Sequence, residues 1–99
     1  MAAFLLVDVS KVHDEQAYGA YRERVAATLV RAGGQYLARG GAVEVLEGTW
    51  HPNRVVVVRF ESPEAARRWW SGPDYSELKA MRQRSTDTNM ILVEGLRGE

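Results

Sequence analysis

Four consecutive valines, Val55 to Val58, inside the run Arg54 to Phe60 constrain the fold of this chain more than any other feature. Side chains alternate between the two faces of a strand, so an unbroken valine run puts branched apolar groups on both. Phe4 to Val9 behaves the same way, with Phe4 and Leu6 on one face, Leu5, Val7 and Val9 on the other, and Asp8 as the interruption. Met90 to Glu94 is a third such run. Strands with two apolar faces need cover on both sides.

Helices supply the first cover. His13 to Ala17 reads as a cap with an acidic first turn, followed by Tyr18, Tyr21, Val25 and Leu29 at helical spacing to about Ala32, where Gly33-Gly34 stops the helix. Ser62-Pro63 opens a second helix carrying Ala65, Ala66, Trp69 and Trp70, and Gly72-Pro73 breaks it. A further start at Pro73-Asp74 carries Tyr75, Leu78, Met81 and Arg82 to near Ser85. Between the helices, Gln35 to Ala38 and Ala42 to Leu46 read as one strand with a bulge at Arg39-Gly40-Gly41, and Glu47 to Asn53 as a hairpin connection.

The resulting order, β-α-β-β-α-β with an added helical segment, predicts a single α+β domain over residues 1–99. The expected architecture is ferredoxin-like: a four-stranded antiparallel sheet with its helices on one face. The second apolar face then needs a partner, and a symmetric copy of the same sheet is the simplest one. A 99-residue domain also buries a modest share of its surface alone, which favours a homodimer.

Composition removes several functions. Thirteen basic residues balance thirteen acidic ones and are spread along the chain, so no nucleic acid partner is expected. Cysteine is absent, which excludes thiolate chemistry and disulfides. No apolar run suits an export signal or a membrane span, so a cytoplasmic protein with no membrane partner is expected. No glycine-rich phosphate loop joins a strand to a helix, and the two histidines stand in separate loops without carboxylates at ligand spacing, so neither cofactor nor metal is expected.

The residues that suggest chemistry centre on Arg39. A guanidinium on a glycine-broken strand is suited to bidentate contact with a carboxylate or enolate; the alternative is an ion pair with Glu44, Glu47 or Asp8. Tyr18 and Tyr21 share a helical face, where their hydroxyls meet either a ligand or an internal partner. Trp50, Trp69 and Trp70 are large enough to wall a planar substrate or to fill core. Arg82 and Asn89 are further candidates for the same pocket, although a solvated helix face suits Arg82 equally well. A histidine can serve as a general base, but His51 sits at a hairpin tip, the usual place of an exposed loop histidine.

Tyr36 to Gly41, Glu44 to Trp50 and Trp69 to Tyr75 together resemble the family called domain of unknown function 1330, over nearly the whole chain. Tyr21, Arg39, Glu47, Trp50, Trp69, Arg82 and Glu94 match recurrent positions of its pattern. Trp70 departs from it, standing where tyrosine is usual, as does Gly72, where serine is usual. The resemblance implies a dimeric α/β barrel, two sheets face to face, in a superfamily with cofactor-free monooxygenases, haem-degrading enzymes and isomerase-like proteins. Two readings follow. One is a cofactor-independent, monooxygenase-, isomerase- or cyclase-like enzyme on an acidic or phenolic small molecule. There Arg39 holds the oxyanion, Tyr21 donates a hydrogen bond, and Glu44 or His51 moves a proton. The other is a non-catalytic dimeric module that binds a ligand or a protein.

Overall fold

The computed structural model describes residues 1–97. Strand β1 spans Ala3–Val12, helix α1 Glu15–Arg31, β2 Gln35–Arg39, β3 Arg54–Phe60, α2 Pro63–Ser71, α3 Pro73–Ser85 and β4 Thr86–Glu94. The sheet runs β2-β3-β1-β4 with every neighbouring pair antiparallel, the ferredoxin-like arrangement that the element order implies.

Register decides what each face carries. Leu5 lies opposite both Val58 and Leu92, and Val7 opposite Val56 and Met90. These side chains join Tyr18, Tyr21, Val25 and Leu29 of α1, Ala66 and Trp69 of α2, and Tyr75 and Leu78 of α3 in one core. On the other face Leu6 lies opposite Val57 and Ile91. Ile91 and Val93 are 58% and 43% exposed there, so an apolar surface remains uncovered in the single chain.

Local chemistry explains the helix boundaries. Asp14 accepts a hydrogen bond from the Ala17 amide at 3.1 Å, and Ser62 caps α2 through the Ala65 amide at 3.1 Å. Gly33, at φ 84°, takes the left-handed turn that ends α1, while Pro73 starts α3 directly after α2.

The glycine-rich segment differs from the sequence expectation. The irregularity in the β2–β3 pairing falls between Tyr36 and Ala38, so Leu37 is the extra residue and Arg39 returns to register opposite Val56. Ala42 to Leu46 forms no strand. Gly40 ends β2 with φ 71°, a left-handed conformation that favours glycine, and the Arg54 guanidinium packs against it where a Cβ would stand. β4, by contrast, is longer than its apolar run and begins at Thr86, because Thr86, Thr88 and Asn89 pair with β1 despite their polarity.

Candidate ligand site

A cavity of ≈ 40 Å³ lies between the sheet and α1. Its apolar floor comes from Leu5, Val7, Val9, Val56 and Val58, and its polar lining is Tyr18, Tyr21, Tyr36, Arg22, Arg39, Arg54 and Arg82. None of the described lining residues is acidic. Four arginines and three tyrosines contribute to this lining with no described acidic residue to balance them, so the charge around the space is one-sided.

Each cation is held differently. Arg39 is exposed, donates from Nη2 to the Arg22 carbonyl at 2.9 Å, and lies 4.6 Å above the Tyr36 ring. Arg54 is half-buried and donates from Nε to the Tyr18 hydroxyl at 3.0 Å. Arg22 lies 5.4 Å over the Tyr18 ring. Arg82 is only 5% exposed, and its Nε donates to the Tyr75 hydroxyl at 3.2 Å. None of these arginines joins an ion pair among the described residues.

The Tyr75 hydroxyl also meets that of Tyr21 at 2.7 Å. Burial, and after it Tyr75, push the Tyr21 phenol far above its ordinary range, against the pull of Arg82. Tyr36 is raised as well, mainly by burial, with Arg39 opposing. Both hydroxyls therefore stay protonated at neutral pH and offer hydrogen-bond donors rather than bases.

The anticipated residues fall into separate places. Tyr18, Tyr21, Arg39 and Arg82 line the inner cavity together with Trp69. Trp69 is chiefly core: it stacks on Tyr75 with centroids 3.9 Å apart, and its indole nitrogen donates to Thr28 at 3.0 Å. Trp50 and Asn89 border a different, apolar hollow beside Leu6 and Ile91. There the Asp8 carboxylate accepts from Trp50 Nε1 at 3.1 Å and the Asn53 amide at 3.2 Å, so Asp8 does not serve Arg39. Glu44 and His51 are exposed on the connection after β2 and line none of the cavities described here. Trp70 borders an outer cavity beside α2 and α3.

Arg54 and Tyr75 were not anticipated as site residues. Arg54 is even-spaced from Val56 and Val58, which already places it on the helix-covered face. Tyr75 stands seven residues before Arg82, one face of α3. No group of three or more potential metal ligands occurs among the described residues, and no helix there is long and apolar enough to cross a membrane.

Fold and site together define a ferredoxin-like α+β domain with an arginine-lined cavity under its first helix. The chain belongs to the family described as Domain of unknown function (DUF1330), whose family model matches residues 2–96. It is similar to a Rhodopseudomonas palustris protein of unknown function, at 22% identity and TM-score 0.75, over 97% of this chain and 83% of that one. A dimeric ferredoxin-like protein of unknown function from Jannaschia sp. aligns at 14% identity and TM-score 0.65, over 96% and 100%. SnoaB, a cofactor-independent oxygenase from Streptomyces nogalater, aligns at 13% identity and TM-score 0.65, over 97% and 94%. At these identities the likeness is one of fold. No curated protein matches the chain.

Proposed function

We propose that this protein is a homodimeric α/β barrel that binds an acidic or phenolic small molecule in the cavity beneath α1 and stabilises its anionic form without a cofactor. The observation that carries the reading is the charge of the lining: Arg22, Arg39, Arg54 and Arg82 with no acidic residue among the described lining. Preorganised donors aimed at an oxyanion act strongly where water is scarce, and the protonated Tyr21 and Tyr36 hydroxyls add to them. At ≈ 40 Å³ the space suits the oxyanion group of a ligand, and the rest of the molecule enters past Arg39. The exposed Arg39 is held by one carbonyl and one ring, which leaves it free to swing. An enolate is the charge that a cofactor-independent oxygenase or isomerase of this fold would have to stabilise. The homodimer reading is supported by the uncovered apolar face and by the dimeric description of the Jannaschia relative.

A titration of 4-nitrophenol, followed by phenolate absorbance, tests the site. Guanidiniums favour the charged form, so the bound phenol should ionise at lower pH than the free one. Arg39→Ala should weaken this binding at least tenfold while the protein stays folded. A bound phenol that ionises no earlier than the free one, or an absence of saturable binding, refutes the proposal.

A further inference from the structure

Arg82 borders a second cavity as well. The outer space, ≈ 460 Å³, is lined by Leu5, Ala66, Met90, Ile91 and Leu92 as apolar wall and by Arg67, Trp70, Arg82, Gln83 and Thr88. It lies between α2, α3 and β4, and shares Leu5, Arg82 and Met90 with the inner cavity. No acidic residue lines it among those described.

The state of Arg82 points to a ligand. The side chain is 95% buried, carries a full charge, has no ion pair among the described residues, and donates only from Nε. No fully enclosed side-chain nitrogen or oxygen among the described residues lacks a partner. The terminal nitrogens of Arg82 make no hydrogen bond among the described residues and so keep some accessible surface, and the residue borders both cavities. A buried, uncompensated guanidinium is costly, and two parallel hydrogen bonds to a carboxylate offset that cost.

We propose that the outer cavity is a binding site for a planar aromatic carboxylate. Its carboxylate takes the terminal nitrogens of Arg82, and its ring lies against Met90, Leu92 and the Trp70 indole. The volume falls in the range of small-molecule sites, about 300–1,000 Å³, whereas the inner cavity is far below it. Arg67 adds a second cation at the same wall. The inference goes beyond the inner-cavity reading and stands without it, because it uses a different space with its own lining of Arg67, Trp70, Gln83 and Thr88.

The probe is 2-naphthoate, titrated into the dimer or monomer as purified and followed by the amide and indole resonances of the protein. Saturable shifts centred on Trp70, Thr88 and Met90, a Trp70→Ala variant binding at least tenfold more weakly, and 2-naphthamide binding at least tenfold more weakly than the acid are the expected results. Trp70 is 42% exposed on a helix surface, so its replacement leaves the core intact. The amide comparison needs no variant and isolates the charge. Shifts confined to Tyr18, Tyr36 and Arg39, equal affinity for acid and amide, or no saturation would overturn the proposal.

Discussion

Replacing Tyr75 by Phe probes the polar centre of the core, and its cost follows from the geometry. Tyr75 is fully buried, its ring stacks on Trp69, and its hydroxyl holds two partners, Arg82 Nε at 3.2 Å and the Tyr21 hydroxyl at 2.7 Å. Phenylalanine keeps the stacking and removes only the oxygen. A hydrogen bond to a charged group contributes about 1.5–3 kcal/mol and a neutral one about 0.5–1.5 kcal/mol. The 3.2 Å contact belongs at the low end of its range, which gives a loss of roughly 2–3 kcal/mol for Tyr75→Phe. Tyr21→Phe breaks one neutral bond and leaves Tyr75 with Arg82, so its cost is about 1 kcal/mol. The assay is urea denaturation of both variants at one protein concentration, since association makes apparent stability concentration-dependent. In a domain of this size each kcal/mol also lowers Tm by about 4–8 °C, an independent check. Equal losses for the two variants would mean that Arg82 does not depend on Tyr75, and the account of the buried guanidinium would fail.

The Arg31–Asp74 pair, two hydrogen bonds at 2.9 Å, joins the end of α1 to the start of α3 and lowers the Asp74 carboxyl. A lowered folded-state value means stability present above the ordinary carboxylate range and lost as pH falls through the folded one. The advantage of the wild type over Asp74→Asn should therefore vanish in acid and shrink in salt, as measured by melting across pH and ionic strength. Ile91→Lys places a charge opposite Leu6 on the uncovered face, and light scattering should show a wild-type dimer converted to a monomer; a monomeric wild type would contradict the second-cover argument.

The two-faced strands and the helix punctuation carried most of the fold. Valine runs place apolar groups on both faces wherever the register falls, and Ser62-Pro63 and Gly72-Pro73 end or start helices by local sterics alone. The segment after β2 was not legible, because Ala42 to Leu46 has strand composition yet pairs with nothing. Composition reports propensity, while pairing depends on where Gly40 turns the chain, and that turn is tied to Arg54, a residue fourteen positions away. In the site, Tyr18 and Tyr21 lie on the face that helical spacing gives them. Arg39 reaches the cavity side only through the irregularity at Leu37, which plain alternation from Tyr36 does not give, and spacing leaves Arg82 open between cavity and solvent. Trp50 lies elsewhere because Asp8, an acid in an apolar strand, takes the Trp50 indole and the Asn53 amide on the opposite face, and Asn89 lies there because its register sets it opposite Asp8.

That single carboxylate also shapes the chemistry. Asp8 ties the end of the long connection to the open face of the sheet, while Gly40, hydrogen-bonded to the Val55 carbonyl at 2.9 Å, ties its beginning at the β2 edge. Glu44 and His51, the anticipated proton carriers, lie between these anchors and remain exposed. Within one chain the cavity under α1 is therefore lined by arginines and by Tyr21 and Tyr36, whose phenols burial raises, and no carboxylate or imidazole is among its described lining residues. Such a lining favours ligands that arrive as anions or ionise easily, because it lowers the energy of the charged form directly. On the proposed reading, acidity of the ligand, rather than a base on the protein, is what selects for this site.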